Sequence, residues 1–143
     1  MTSYLVGNDL PKVLEQAKTY NSLATKFRET DAAEYTRLII QIINRFIEPS
    51  ENPLHIDENG FDEDAFVQRI EIGENEIALF VYYFLKLQLS LVYGDYKHAI
   101  IQAEKALPFA LDHLGFFNVP SFHFNHALAL AFNLKVDIIL TIV

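Results

Sequence analysis

The stretch that most constrains the fold is residues 76–93, EIALFVYYFLKLQLSLVY, which contains neither Pro nor Gly. Apolar residues occur on nearly every side of this segment, a pattern typical of a helix that is buried on more than one side. A strand is the alternative, because the segment is rich in aromatic and β-branched residues. Its length of about 18 residues is ordinary for a helix and long for a strand. We therefore predict a buried helix over Glu76–Tyr93.

A second helix is predicted directly after it, so that the two form a hairpin. Gly94 supplies the positive φ that a helix C-terminus commonly needs, and Asp95 accepts hydrogen bonds from the N–H groups that open the next helix. From Tyr96 to Leu107 apolar residues recur at helical spacing, with small alanines at the seam. The residues expected to face water are Lys97, His98, Gln102, Glu104 and Lys105.

The remaining sequence predicts four further helices, which makes an all-α fold of about six helices. The spacing of apolar residues predicts helices over Leu10–Phe27 and Ala32–Ile47, capped by Asp9 and by Thr30 or Asp31, and packed antiparallel because the connection is short. A short helix follows a cap at Asp62. The last helix runs from about Pro120 to Ile139 or beyond, with a predicted core face of Phe124, Ala127, Leu128, Ala131, Leu134 and Ile138.

Between the second and third helices, Glu48 to Asp64 holds seven acidic residues and no Lys or Arg. We expect a solvated connecting loop, with a cation site or a contact for a basic partner as the alternatives. An EF-hand loop requires Gly at its sixth position, whereas Gly60 is the fourth residue counted from Asp57. The sequence therefore does not match that type of calcium site.

The charge of the chain disfavours several classes of partner. A net charge of −8 disfavours binding to nucleic acid phosphates or to an anionic membrane surface. The absence of Cys excludes disulfides and fits a reducing, cytoplasmic environment. No signal peptide is visible at the N-terminus. The apolar run Ala127–Val143 is interrupted by Asn133, Lys135 and Asp137, so we expect no membrane span there.

No constellation of residues points to catalysis, to a cofactor or to a metal. His123 and His126 lie one helical turn apart, with His113 nearby in sequence, but neither a Cys nor an HExxH pattern joins them. Ser121 and His123 are too close in sequence to face each other on a helix. The five glycines are scattered singly, so no phosphate-binding loop exists. We expect a protein that is not an enzyme.

The predicted hairpin resembles a tetratricopeptide repeat. The residues that carry the resemblance are Gly94-Asp95-Tyr96-Lys97-x-Ala99-Ile100-x-x-x-Glu104-Lys105-Ala106-Leu107, which are similar to the turn and second helix of that repeat. The first arm departs from the pattern, because Leu87 stands where a small residue is usual and Ser90 where an aromatic is usual. The resemblance implies antiparallel helical hairpins stacked as a divergent repeat array.

A second resemblance covers most of the chain, from about Leu10 to Phe132. It rests on segments that recur in this order: Glu48-Pro49-Ser50-Glu51-Asn52-Pro53, Tyr83-Phe84-Leu85-Lys86, Tyr93-Gly94-Asp95-Tyr96, Val119-Pro120-Ser121-Phe122-His123-Phe124, and Leu128-Ala129. They are similar to the helical region of large cyanobacterial multi-sensor signalling kinases, between an AAA-type ATPase module and a GAF–histidine kinase end. The resemblance implies a connector or scaffold inside a signalling polypeptide, without catalysis by this segment.

These observations predict one helical-repeat domain over residues 1–143 that makes protein–protein contacts or serves as a scaffold. The partner is expected to be a neighbouring domain of a signalling kinase or a second copy, with residues 138–143 as a cut edge or a dimer contact. A small-ligand sensor with a cavity between helices is the alternative, and a helical arm of a DNA-binding regulator is a weaker one. The residues proposed for partner contact are Tyr82, which is expected to be exposed, Phe116, Phe117, Ile139 and Ile142.

Overall fold

The described residues of the computed structural model, 9–48, 50–57, 60–112, 115 and 118–142, contain helices and no strands. They form six helices: α1 (Leu10–Lys26), α2 (Thr30–Ile47), α3 (Glu63–Ile72), α4 (Glu76–Val92), α5 (Tyr96–Asp112) and α6 (Val119–Ile142). The all-α class and the number of helices are therefore confirmed. The tetratricopeptide-like stacking of the hairpins stays a prediction.

The chain divides into two compact units, residues 1–74 and residues 75–143. Unit 1 contains α1, α2 and α3, and unit 2 contains α4, α5 and α6. In unit 1 the helices α1 and α2 pack against each other, and in unit 2 the helix α6 packs mainly on α5 and less on α4. The single domain expected over residues 1–143 stays a prediction.

The hairpin of α1 and α2 is held by an apolar seam and by one amide. Val13 and Ala17 are buried on α1, and Leu38 and Ile42 are buried on α2, at the three- and four-residue spacing of helix faces. Across the hairpin, the Asn21 side chain donates hydrogen bonds to the carbonyl of Ala33 (2.6 Å) and to the hydroxyl of Thr36 (2.9 Å). This amide fixes the register of the two helices.

The helix caps of unit 1 differ from the prediction. Asp9 and Glu29 occupy the N-cap positions of α1 and α2, but neither side chain accepts a capping hydrogen bond. The prediction that Thr30 or Asp31 caps α2 is wrong, because α2 already begins at Thr30. In the turn before Thr30, Arg28 adopts a positive φ of 59°. The N–H of the next residue, Glu29, donates a hydrogen bond to the carbonyl of Ala24 at the end of α1 (2.9 Å). The backbone thus closes the turn without a side-chain cap.

The acidic segment is more ordered than the solvated loop predicted from its charge. Ile56 is fully buried, and Phe61 is buried with its ring 5.4 Å from that of Phe66 on α3. Charge pattern alone suggested a solvated chain, but these apolar side chains anchor the segment to the core. The part of this prediction that concerns residues 49, 58 and 59 lies outside the described residues.

Polar groups of the same segment satisfy one another. The imidazole of His55 lies between two carboxylates, 2.9 Å from Asp57 and 3.7 Å from Glu63. The buried Glu63 carboxylate also accepts from the N–H of Ile56 (3.2 Å), and Arg45 donates to the carbonyl of His55 (3.2 Å). Buried carboxylates require such partners, so several of the acids serve to order the segment.

The start of α3 agrees with the sequence prediction. Asp62 is the N-cap of α3, and its carboxylate accepts from the N–H of Ala65 (2.8 Å), as expected of a capping Asp. Gly73 follows the last residue of the helix. An ion pair of 2.7 Å joins Arg69 on α3 to Glu34 on α2. Because both side chains retain contact with water, this pair contributes little to stability.

Unit 2 is built around α4, which buries most of its circumference. Phe80 and Phe84 stack with their ring centroids 6.0 Å apart, and the ring of Phe122 on α6 meets both edge-on, at 5.6 and 6.2 Å. All three rings are fully buried. On α5 four alanines are completely buried: Ala99, Ala103, Ala106 and Ala110. The first three form the small-residue seam that the sequence predicted, and Ala110 extends it.

The turn between α4 and α5 confirms the local prediction. Gly94 has a φ of +75°, which the Cβ of another residue would disfavour. Asp95 accepts from the backbone N–H of His98 (3.0 Å) and so caps α5. Pro108 lies inside α5, and the helix continues past it to Asp112.

Removing an aromatic ring from the centre of unit 2 tests this packing. We expect Phe80→Ala to lower the free energy of unfolding by about 3–5 kcal/mol, because a fully buried ring is lost and a cavity remains. Phe27→Ala, at a ring that is 68% exposed, is the matched control, with an expected change below about 1 kcal/mol. Urea unfolding followed by circular dichroism gives both values. Equal effects of the two substitutions would contradict the packing described.

The half-buried phenol of Tyr35 on α2 makes the free energy of unfolding fall at high pH. Burial raises the pKa of Tyr35 from 10.0 to about 12. A folded-state pKa above the unfolded one means that the stabilisation is complete below pH 10 and is lost as the pH rises towards 12. We expect Tyr35→Phe to reduce the loss of unfolding free energy between pH 10 and pH 12 by up to roughly 2 kcal/mol. Urea unfolding at several pH values between 8 and 12 measures this free energy. Tyr20→Phe, at a 63% exposed site, is the control that should behave like the unsubstituted chain.

Candidate interaction surface

The least buried helix of unit 2 is α6. Only Val119, Phe122 and Ala129 are buried along its 24 residues. Every described residue from Leu134 to Ile142 is exposed. The largest exposures of apolar side chains in that part are those of Leu140 (69%) and Ile142 (79%). The apolar character of this helix is therefore not explained by packing within unit 2.

The predicted core face of α6 is wrong. Phe124, Leu134 and Ile138 from that face are 65%, 61% and 51% exposed. The side that packs inward contains Phe122 and Ala129. The reason is that α6 has apolar residues on all sides, so periodicity alone does not select the inward one. The fit of the Phe122 ring between Phe80 and Phe84 decides it, and turns the predicted face towards solvent.

The end of α6 continues past its last aromatic contact with the hairpin. The ring of Phe132 stacks on that of Tyr96, the first residue of α5, with a centroid distance of 5.3 Å. Ten residues of α6 follow Phe132, which corresponds to a helix length of about 15 Å. Ile139 (50% exposed) and Ile142 (79% exposed), two of the predicted contact residues, lie in this part.

The apolar area that α6 exposes is unusually large. Nine of its large apolar side chains are at least 37% exposed: Phe124, Leu130, Phe132, Leu134, Val136, Ile138, Ile139, Leu140 and Ile142. At roughly 200 Å² for each fully exposed side chain, they amount to on the order of 1,000 Å². They lie around the helix rather than on one side, because its last turns are exposed all round. Those on the side away from Phe122 and Ala129 and on its flanks amount to on the order of 700 Å², more than the roughly 300–600 Å² of the largest apolar patch on a typical monomer, and larger patches mark interaction sites. We call the exposed residues of α6, from Phe124 to Ile142, the α6 surface.

The α6 helix is also long and apolar enough to cross a membrane, by length and composition only. Its ten Leu, Ile, Phe and Val residues from Phe124 onward favour insertion by roughly 3–6 kcal/mol together. Lys135 and Asp137 together oppose it by about 5–7 kcal/mol if they lie near the centre, and Asn125 and Asn133 add to that cost. The sum of these insertion free energies favours contact of α6 with a protein surface over its insertion into a lipid core.

The other predicted contact residues do not join this surface. The expected exposure of Tyr82 is wrong, because its side chain is only 7% exposed and its ring lies 5.1 Å from that of Tyr83. Since α4 is buried on nearly all sides, the sequence offers no solvent side for Tyr82. Phe116 and Phe117, together with His113 and Val143, lie outside the described residues.

A buried polar cluster, which sequence reasoning missed, joins α4 to α5. The Ser90 hydroxyl is 2.7 Å from Nδ1 of His98, and Nε2 of His98 is 3.1 Å from the amide nitrogen of Gln102. Ser90 is fully buried and Gln102 is 6% exposed, so the prediction that Gln102 faces water is wrong, whereas His98 is half-buried. Ser90 occupies the position where the repeat usually has an aromatic residue. A Ser at this position, with a His eight residues later, is the sequence signal that could have predicted the cluster.

The hydrogen bonds of this cluster assign a tautomer to His98. The Ser90 hydroxyl donates to the carbonyl of Lys86 (2.8 Å), so it can only accept from His98. Nδ1 of His98 is then the donor, and Nε2 accepts from Gln102. A Ser and a His in contact suggest nucleophilic catalysis, but a Ser that donates to a backbone carbonyl and is closed to solvent is not placed to attack a substrate. The cluster locks the hairpin.

The clefts of unit 1 are open rather than enclosed. One of about 290 Å³ lies where α1 ends and α2 begins, and its lining includes Arg28, Glu34 and Arg37. Another, of about 540 Å³, is lined by polar residues that include Lys18, Gln41 and Asn44. Small-molecule sites usually surround most of a ligand, which an open cleft does not. Within the described ranges, no group of three or more His, Asp or Glu residues is arranged to hold a metal ion.

Comparison with protein-family models, with curated proteins and with solved structures finds no match for this chain.

Removal of the Ser90 hydroxyl tests the polar cluster. We expect Ser90→Ala to lower the free energy of unfolding by about 1–3 kcal/mol, because a buried imidazole nitrogen loses a hydrogen-bond partner. Ser22→Ala is the matched control, since Ser22 makes the same bond to a carbonyl four residues earlier (3.0 Å) but at an exposed site. Its expected effect is within about 0.5 kcal/mol. A His98 imidazole whose ¹⁵N shifts place the proton on Nε2 would contradict the assigned bonding.

Proposed function

We propose that this chain is a non-catalytic protein-interaction or scaffold module, and that the α6 surface is the part that contacts the partner protein. The observation that supports it is the exposure of Leu134, Ile138, Leu140 and Ile142 on a helix that the rest of unit 2 leaves uncovered. Burial of apolar area is the main driving force of protein association. An α-helical partner with an apolar face fits this straight helical surface best.

The chemistry of the α6 surface favours protein over other partners. Along the exposed part of α6 the only charged residues are Lys135 and Asp137, and Asp137 accepts a hydrogen bond from Asn133 (3.1 Å). A surface that binds nucleic acid needs a row of cations, which is absent from α6, and the whole chain carries −8. A protein interface instead has an apolar centre with few charges, as here.

The sequence resemblance to the helical region of multi-sensor signalling kinases gives this module a context. In that context the chain acts in the cytoplasm as a connector between signalling domains, and the α6 surface packs on a neighbouring domain or on another copy of the connector. The polar lock of Ser90, His98 and Gln102 supports such a role, because a connector that transmits position needs hairpins that do not slide.

A photoreactive amino acid on the α6 surface tests the proposal in cells. We expect the photoreactive side chain at Ile139 to form adducts with protein, identified by mass spectrometry, because that position is half-exposed and apolar. The same group at Lys97, an exposed position of α5, should give none above background. Leu134→Asp, combined with the probe at Ile139, should reduce the yield at least about tenfold, since it places a charge in the contact.

Different binding partners of the α6 surface give different photo-adducts in the same experiment. Adducts with lipid alone would contradict a protein contact and favour membrane attachment. Equal protein adducts from Ile139 and Lys97 would mean that the α6 surface has no special role. A yield at Ile139 that Leu134→Asp leaves unchanged would also contradict the proposal.

A further inference from the structure

The outward side of α6 contains an apolar stripe whose spacing is the same in both directions along the helix. Phe124, Leu128, Ala131, Leu134 and Ile138 follow one another at intervals of four, three, three and four residues, so they lie on one side of the helix. Ala131 is at the centre of this stripe, with a Leu on each side and a large apolar residue at each end. A two-fold axis through Ala131, perpendicular to the helix, therefore maps the stripe onto itself.

We propose that the partner of the α6 surface is a second copy of this chain, which pairs antiparallel with the first about a two-fold axis at Ala131. This inference rests on the proposed function and names its partner. The axis places Phe124 level with Ile138 of the second copy, and Leu128 level with its Leu134. Such a surface is complementary to itself, as a two-fold interface requires.

The centre of the stripe suits the close approach of two helices. Ala131 is exposed, and a methyl group is the only side chain at the crossing point. Small residues at a crossing let the helix axes come within about 8 Å of each other, so that the larger side chains on either side interdigitate. Lys135 then lies level with Ala127 of the second copy, whose small side chain leaves room for the aliphatic stem of the lysine.

The charge of Lys135 selects the antiparallel orientation. Lys135 is close to the apolar stripe on the helix surface. A parallel pair would place the two Lys135 ammonium groups level with each other, and like charges in an interface oppose association. In the antiparallel pair about Ala131, the two Lys135 residues are eight residues apart along the axis, or about 12 Å. The opposed helix dipoles also favour the antiparallel pair.

The apolar area on the stripe side of α6 is close to what such a dimer needs. A stable interface buries about 800 Å² on each partner. The exposed apolar side chains on that side and its flanks amount to on the order of 700 Å², at roughly 200 Å² for each fully exposed side chain: Phe124, Leu130, Leu134, Ile138, Ile139 and Ile142. Each copy provides this area without any rearrangement of the buried Phe80, Phe84 and Phe122, so the paired helices belong to units that are already folded.

Single cysteines give a direct test, because the chain contains no Cys. We expect Ala131→Cys to form a disulfide between two copies on mild oxidation, since the axis brings the two Cα atoms within the roughly 4–7 Å that a disulfide spans. Phe124→Cys should not cross-link to itself, but it should cross-link when mixed with chains that carry Ile138→Cys. Ala32→Cys, at an exposed position of α2, is the control that should give no specific product.

Sedimentation of the purified chain measures the association itself. We expect the chain to be dimeric at about 100 μM. Leu134→Asp should raise the dissociation constant of the dimer at least about thirtyfold. Leu111→Asp is the matched control: Leu111 is 56% exposed on α5, close to the 61% of Leu134, and its substitution should leave the dimer intact. Circular dichroism of both variants shows that the fold is retained.

A monomer at 500 μM, or equal effects of Leu134→Asp and Leu111→Asp, would overturn the self-pairing. A disulfide of Phe124→Cys with itself would overturn the antiparallel arrangement. The proposed function is tested separately by the photoreactive probe in cells. If that probe labels a different protein and the purified chain is monomeric, the interaction module stands and the second copy is excluded.

Discussion

Burial of α4 on nearly all sides is the constraint on which unit 2 depends. Phe80 and Leu89 are both fully buried although, at nine residues apart, they lie on opposite sides of the helix, so α4 needs cover on more than one side. The alanines of α5 allow one helix to approach closely, and the ring of Phe122 on α6 fills the space beside Phe80 and Phe84. Once Phe122 is placed there, the opposite side of α6 is left without a cover.

That exposed side links the packing to the proposed function. A helix that is apolar all round gains stability from cover on more than one side, and α5 with α4 covers only one. In the proposed dimer the second copy supplies the remaining cover. The self-complementary stripe about Ala131 and the isolated charges of Lys135 and Asp137 favour a protein helix as that surface, and specifically a second α6.

Polar side chains of this protein fix the geometry of its helices and of the acidic segment. Ser90 and His98 lock the α4–α5 hairpin, Asn21 fixes the register of α1 and α2, and His55 orders the acidic segment between two carboxylates. Each of these side chains has a local role as a hydrogen-bond partner. Residue type and charge pattern alone suggested solvent exposure for His98 and for the acidic segment, because they do not show which partners lie nearby.

The pattern of residues along the chain was enough to predict six helices and some of their ends, although α2 begins without its predicted cap and α5 extends past Leu107. The apolar run of α4, the Gly94–Asp95 turn and the Asp62 cap are local features, and local hydrogen bonding and backbone preference are enough to specify them. The packing of the helices, by contrast, sets which side of α6 faces inward and the burial of Tyr82. These depend on contacts between helices distant in sequence, and a helix that is apolar on every side carries no periodic signal to resolve them.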